Sequence, residues 1–422
     1  MASTTKDLDI FEEHIRVVNP RNVKRVDWVL ALLVLALAVV GFLGLYSASR
    51  STAASYYQKQ LVFFLGGSVI ALVILCVDHR FLVWLAPAMY AVAVMLLVAV
   101  LVSGRIAKGG QRWLSLGPLN LQPSEQTKLI LVYTLTWYFT QIKERIGKLH
   151  YFLLAFAIAA VPGLLILMQP NLGTAACLGP VVFVMLYVAG CKRWHLALVV
   201  LIGLSAVPLV WVQMVDFDPG LSADAIKVAD ANRSLYELRH YQKRRVYTFL
   251  HPEYDPRDAG WQTYQSKITI GSGGLSGKGF CRGTQTYLRY LPEHHNDFIF
   301  SLLAEEGGFI GAVGVMVLFL LLFWRGLLFA RDCPDMSGAL LATGAVTILA
   351  FHVCVSIALT VGLLPVTGIP LPFLSYGGSF YLTTMMCIGA LLNVPVRSRL
   401  FIDEPPRTGS RSYRGPLDRN IA

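Results

Sequence analysis

Charge is what this chain has least of: 14% of its 422 residues are Asp, Glu, Lys or Arg, against about 25% in soluble domains. With 55% hydrophobic residues and a mean hydropathy of +0.57, that scarcity excludes the two or three soluble domains that length alone would allow. It predicts a polytopic membrane protein. The chain has no CxxC pair among cysteines 76, 177, 191, 281, 333, 354 and 387. No disulfide framework or zinc site is therefore implied, and most of these cysteines fall in apolar runs, where Cys serves as a small hydrophobe. The first 26 residues are polar and lack the short apolar core and small-residue cleavage site of a signal peptide. The glycine-rich segment 271–279 lacks a phosphate loop, because Ser272 stands where the first Gly is required and Gly279 where Ser or Thr is required. A string of backbone amides there still suits either an anion or a plain flexible turn.

What is present is length of apolar sequence. Runs of about 20 residues are the spanning unit, and ten are read: 27–47, 58–77, 81–103, 125–141, 149–168, 174–190, 194–215, 297–324, 337–361 and 375–396. The expected fold class is an all-α polytopic membrane protein of about ten transmembrane helices, with a large loop at 216–296 between helices 7 and 8. The net charge of +11 does not point to nucleic acid, because Lys and Arg cluster in short loops on one side. That side carries Arg21, Lys24, Arg25, Arg80, Lys143, Arg145, Lys148, Lys192, Arg193, Arg325 and Arg331. The positive-inside rule places both termini in the cytoplasm and the 216–296 loop outside. The expected organisation is a cytoplasmic segment 1–26, a membrane domain 27–396 and a basic tail 397–422 resting on anionic lipid. Within the large loop, 221–250 mixes Ile226, Leu235, Leu238, Tyr241 and Phe249 with Lys227, Arg233, Lys243, Arg244 and Arg245. That mixture suits either basic amphipathic helices on the membrane surface or solvated loop helices.

Ionisable groups at the membrane boundary carry the functional signal, since each costs roughly 2.5–3.5 kcal/mol or more at bilayer depth. Residues 291–306 read LPEHHNDFIFSLLAEE. Asp297 sits where the polar loop gives way to apolar sequence, with Glu305 and Glu306 inside the run and Glu293 before it. Asp297, Ser301 and Glu305 are spaced to share one helical face. Asn296 suits the N-cap, which puts Asp297 in the first turn, where the helix dipole favours its ionised form. Asp297 then reads either as a helix cap or as a general base. Glu293, His294, His295 and Asp297 also admit a metal cluster, although adjacent histidines seldom face one ion. Glu125 and Lys128, three apart at the head of the fourth run, read either as an intrahelical ion pair or as a cationic site for a phosphate-bearing ligand. Arg112 and Trp113 lie at the lip of that run. Between the last two runs, Pro365, Pro370 and Pro372 forbid regular helix. Broken backbone at membrane depth belongs against a cavity.

These residues carry a resemblance. GGQRWLSLGPLNLQPSEQTKL at 109–129, MQPNLGTA at 168–175, YQSKITIGSGGLSGKG at 264–279, LPEHHNDFIFSLLAEE and GLLPVTGIPLPFLSYGGS at 362–379 resemble the SEDS family (shape, elongation, division and sporulation). Within it they resemble the RodA branch more than the FtsW branch. The resemblance covers 28–396 and implies a peptidoglycan glycosyltransferase that polymerises lipid II at the outer face of the bacterial cytoplasmic membrane, for elongation and shape. It implies Asp297 as the catalytic aspartate and Arg112, Trp113, Glu125, Lys128, Lys267 and Ser375 as substrate-binding candidates. Glu293, Glu305 and Glu306 are expected as supporting charges. It also implies a class B penicillin-binding protein as partner. The chain departs from the family pattern at Asn171, Asn296, His352 and Ser356, where Asp, Thr, Gln and Asn are common.

In this reading Asp297 takes the proton of the acceptor's 4-hydroxyl as it attacks the donor's anomeric carbon, with inversion. The leaving polyprenyl diphosphate needs cations, for which Arg112 and Lys128 are candidates. The chemistry admits a divalent cation, magnesium or manganese, without a motif that requires one. The alternatives are a flippase for the same lipid, since intramembrane charge and broken helices are also transporter features, a division role like that of FtsW, and a scaffold for a transpeptidase.

Overall fold

The ten apolar runs become ten long helices. The computed structural model describes residues 26–50, 55–107, 110–116, 119–215, 217, 240–251, 259–288, 290–291 and 295–403. Helices α1 (Trp28–Arg50), α2 (Tyr56–Cys76), α3 (His79–Ser103), α4 (Pro123–Ile142), α5 (Leu149–Met168), α6 (Leu172–Val188) and α7 (Arg193–Val215) come first. Among the described residues, the shorter helices α8 (His240–Leu250), α9 (Ala259–Ser272) and α10 (Thr284–Tyr287) follow. The bundle closes with α11 (Ile299–Asp332), α12 (Met336–Thr360) and α13 (Gly378–Asp403). Among the described residues, seven are long and apolar enough to cross a membrane: α1, α2, α3, α5, α11, α12 and the Gly378–Arg397 part of α13. The head of α4 is diluted by Glu125, Gln126 and Lys128, and α6 has only 17 residues.

Successive helices run up and down, which gathers the long connections at one end. That loop end carries a small antiparallel sheet between α3 and α4, which the hydropathy pattern did not announce. Its order is β1-β2-β3, with β1 (Arg105–Ala107), β2 (Gly110–Leu116) and β3 (Leu119–Leu121). Arg105 lies opposite Trp113 and Leu114 opposite Leu121. Ser379 ties the sheet to the head of α13: its hydroxyl donates to the Asn120 carbonyl at 3.0 Å and accepts from the Gln122 amide at 3.1 Å.

Helices α12 and α13 form the centre of the bundle: 67% and 83% of their apolar windows are buried, against 22% for α2 and α3. The outer helices turn Leu32, Val62, Val69 and Leu164 outward, as a lipid-facing surface requires. Exposed Trp28, Trp84, Trp194 and Trp324 cluster toward the opposite end, where aromatic rings suit a membrane–water interface. Small residues let backbones approach within the bundle. A Cβ at Gly41 would strike the Phe373 carbonyl, and one at Gly344 would press on Val132.

The opposite end is fastened by polar side chains. Asp27 accepts from the Leu30 amide at 2.8 Å, capping α1, and pairs with Arg325 of α11. The Asn393 amide group donates to the carbonyls of Ile74, Leu75 and Val77 at 2.7, 3.2 and 2.6 Å. These are the orphan acceptors at the end of α2. All seven cysteines are free thiols, as the absence of any paired spacing leads one to expect.

Helix α11 is not one rod. Gly308 breaks it with φ 66° and ψ −167°, a conformation open essentially to glycine alone. Glu305 and Glu306 therefore belong to a short helical segment before the break, and not to the long apolar segment after it. The start of α11 also differs from expectation. Residues 295–298 form a turn and the helix begins at Ile299, with Phe298 at the cap position and no side-chain cap. Asn296 is thus not the N-cap, and Asp297 stands before the first turn rather than inside it.

Candidate active site

Asp297 is placed by a clasp between its turn and the proline-broken loop 361–377. Ser375 makes the clasp. Its hydroxyl donates to the Asn296 carbonyl at 2.7 Å and accepts from the Leu371 amide at 2.8 Å. The Tyr376 amide donates to the His295 carbonyl at 3.0 Å, and the His295 ring stacks on Tyr56 of α2 at 4.1 Å. Ser375 is buried and both of its hydroxyl functions are engaged, so it holds Asp297 in position. The half-buried Asp297 carboxylate faces the loop at Gly368. A Cβ there would lie 3.7 Å from Oδ2, and φ at Gly368 is +72°. Leu371, Phe373 and Leu374 bury the loop in the bundle, so irregular backbone at this depth is enclosed by protein, as it must be.

On the other side of the same loop lies a buried polar cluster. Gly173 at the head of α6 backs onto Ile369. Lys128, fully buried, donates to Glu125 Oε2 at 2.7 Å. Its second contact is His352 Nε2 at 2.7 Å. An ammonium has only donors, so His352 presents the Nε2 lone pair to it and carries its proton on Nδ1. Glu125 Oε1 accepts from the Thr174 hydroxyl at 3.0 Å, and Phe380 covers the ammonium at 5.4 Å. The two readings of Glu125 and Lys128 meet here: they are an ion pair, and it lies next to the loop that faces Asp297. Two departures from the family pattern acquire roles. His352 is the partner of Lys128. Asn171 caps α6, accepting from the Thr174 amide at 3.4 Å, while its amide group donates to Ser124.

Arg112, half-buried on β2, donates to the Gln169 carbonyl at 3.2 Å and to the Pro170 carbonyl. It ties the sheet to the α5–α6 junction. Trp113 is half-buried beside it. Lys267 on α9 is exposed, and its stem lies across Gly362. Ser301, spaced with Asp297, bonds the Ser266 hydroxyl at 2.7 Å, and Ser266 donates to the Thr360 carbonyl at 2.6 Å. These bonds dock α9 on α11 and α12.

Glu305 has a full set of partners. Its Oε1 accepts from Lys278 Nζ at 2.6 Å, the Gln285 amide at 2.9 Å and the Thr284 hydroxyl at 3.3 Å. Glu306 accepts from Ser47 of α1. The glycine-rich segment is the counterpart of the α11 break. The amides of Lys278 and Gly279 donate to the carbonyls of Glu305 and Glu306 at 3.0 and 3.0 Å. The amides of Phe309 and Ile310 donate to Gly274 and Leu275 at 2.8 and 3.1 Å. From this segment it is the Lys278 side chain that meets the Glu305 carboxylate, while the Lys278 and Gly279 amides bond main-chain carbonyls. Glu293, His294 and the amphipathic stretch before His240 lie outside the described residues. Among the described residues no group of three or more His, Cys, Asp or Glu is placed to hold a metal.

Known proteins resemble this chain along most of its length. A family model described as cell cycle protein, covering FtsW, RodA and SpoVE, matches residues 27–400. The chain is 36% identical to the probable peptidoglycan glycosyltransferase FtsW of Trichlorobacter lovleyi, over 90% of this chain and 96% of that protein. It is 35% identical to the peptidoglycan glycosyltransferase MrdB of Escherichia coli, over 89% of this chain and 94% of that protein. Among solved structures, it resembles a chain of a peptidoglycan synthase complex that coordinates polymerization and crosslinking. That likeness has a TM-score of 0.70 at 31% identity and covers 88% of this chain and 98% of that one.

Proposed function

The chain belongs to the FtsW/RodA/SpoVE family of cell cycle proteins, and from that premise we propose that it is a peptidoglycan glycosyltransferase that polymerises lipid II, with Asp297 as the general base. The observation that carries the proposal is the clasp: Ser375 and Tyr376 fix the turn of Asp297 against the loop so that its carboxylate meets the glycine wall at 368. A base works only at hydrogen-bond distance from the proton it takes. The wall without a side chain leaves an approach for a sugar hydroxyl. The acceptor 4-hydroxyl then gives its proton to Asp297 as its oxygen bonds the donor's anomeric carbon, and the diphosphate leaves from the opposite face with inversion. Arg112 and Lys128 shape the walls of this region through Gln169, Pro170, Glu125 and His352, and Trp113 lies beside the lip.

The loop end faces outward in this proposal, with both termini in the cytoplasm, ten spans and the 216–296 loop outside. The distribution of Lys and Arg supports it. A divalent cation, magnesium or manganese, would be held mainly by the substrate's diphosphate oxygens, as such ions usually are. The QSKITIGSGG and GTQTYLRYLPE segments favour a role in elongation over one in division. A class B penicillin-binding protein is the proposed partner. The similar solved chain comes from a complex that couples polymerization to crosslinking.

The test uses the purified chain in vesicles with labelled lipid II, with and without the partner. Polymer formation supports the proposal. Movement of label across the bilayer without polymer would support the flippase alternative instead.

A further inference from the structure

Basic side chains at the end opposite Asp297 fall into two groups. Arg325, Arg331 and Arg80 are engaged with Asp27, Asp332 and Asp335, and Arg397 donates to the Cys76 carbonyl. Five others differ. Lys143, Arg145 and Lys148 lie on the turn between α4 and α5, and Lys192 and Arg193 on the turn between α6 and α7. All five are exposed, and among the described side chains none of them has an ion-pair partner. The sequence of the two turns, 141–150 and 189–195, holds a single carboxylate, Glu144. The turns are also neighbours. A Cβ at Gly147 would lie 3.5 Å from Lys192 Cε. Phe152 in the first turn of α5 meets His195 of α7 with ring centroids 5.2 Å apart. Lys143 leaves α4 with φ 42°, and 143–147 close into a tight 3-10 turn, which brings three of the cations into six residues.

We propose that the two turns together bind the headgroup of an anionic phospholipid in the adjoining leaflet, the inner one in the orientation given above. Charge and position select this ligand. Five cations gathered against one carboxylate call for an anion. A phosphate suits them, because its oxygens accept in pairs from a guanidinium fork while ammonium groups serve as point charges around it. The patch also lies at the membrane boundary. Exposed Trp194 stands next to Arg193, where an aromatic ring suits the headgroup level. Leu149 and Leu153 of α5 turn outward just past Lys148, where the acyl chains of a bound lipid would continue. Basic pockets between helix ends on the cytoplasmic side are a known setting for acidic lipid headgroups. A headgroup held here would bridge the α4–α5 and α6–α7 turns and hold the foot of α7 to α5, beside the contact of Phe152 with His195. The proposal needs the bundle to sit in a bilayer and does not depend on the glycosyltransferase reading.

The test is native mass spectrometry of the full chain with added phosphatidylglycerol or, at equal concentration, phosphatidylcholine of the same acyl chains. Wild type should retain phosphatidylglycerol in preference. Each charge removed should weaken that binding about fivefold, the gain of one Lys or Arg near an anionic surface. Lys192→Gln with Arg193→Gln should therefore lose about 25-fold, and Lys143→Gln with Arg145→Gln about as much, at unchanged melting temperature. Lys192→Arg with Arg193→Lys keeps the charge and should bind within about twofold of wild type. Arg331→Gln, at the same end but outside the patch, should leave binding unchanged. A loss from Arg331→Gln equal to that of the double variants would reveal a diffuse positive face in place of a site and overturn the proposal. So would Gln double variants that bind phosphatidylglycerol as wild type does. Glycerol phosphate that binds as tightly as the lipid would assign the patch to a soluble phosphate. A poly-glutamate peptide that displaces the lipid at equal concentration would assign it to an acidic protein segment. Either result would overturn the lipid assignment.

Discussion

Lys278 Nζ lies 2.6 Å from Glu305 Oε1, and Glu305 is fully buried. The pair joins the glycine-rich segment to the short helical piece that begins α11. Removing one partner of a buried pair leaves an uncompensated charge, at about 3–5 kcal/mol. Lys278→Met is therefore expected to lower the melting temperature of the purified protein sharply. Lys278→Met with Glu305→Leu should recover much of the loss. A single variant that melts with wild type would show that the pair does not hold the segment.

Gly308 and Gly307 make a matched pair of probes. A Cβ at Gly308 would collide with the Gly277 amide and the Leu275 carbonyl, in a backbone conformation that L residues avoid, whereas a Cβ at Gly307 meets nothing within 4 Å. Gly308→Ala is expected to cost at least about 1–3 kcal/mol from backbone strain alone. Gly307→Ala should be neutral or slightly stabilising, by up to about 1 kcal/mol. Thermal unfolding in detergent reads both, and equal melting temperatures would refute the break at Gly308.

At the opposite end, burial pushes the Asp335 carboxyl up, but hydrogen bonds from His79 and Ser337 and the charge of Arg80 outweigh it and hold it below the ordinary carboxylate range. A depressed folded value means that the unfolded chain takes up the proton first. The stability from this group is complete above the unfolded Asp value, about 3.9, and is lost as the pH falls through the folded value. Wild type should melt above Asp335→Asn at pH 6, with the gap closing below about pH 4. A gap that stays constant down to pH 3 would contradict the ionised pair.

Much of the bundle was legible because apolar length is a strong signal. The ten runs fall on the ten long helices, and three prolines between 365 and 372 marked the loop that now clasps Asp297. The motif around Glu125 and Lys128 was legible as an ion pair, since three residues of helix place the two side chains together. Other features depend on contacts far apart in sequence. EEGGFIGAVG reads as tolerable helix, and Gly308 becomes a break only because Gly274, Leu275 and Gly277 arrive beside it. The short strands 105–121 have too few residues for a periodic signal. The bond of Ser375 to the Asn296 carbonyl joins residues 79 apart in sequence and, with its bond to the Leu371 amide, is visible only in the fold. His352 gains its role only when α12 meets α4.

The central claim is that Asp297 takes the acceptor proton, and lipid II polymerisation by purified Asp297→Asn tests it most directly. The account predicts a folded variant with wild-type melting and a turnover reduced at least about 100-fold, the low end of general-base contributions. Asp297→Asn that polymerises lipid II at the wild-type rate would contradict it.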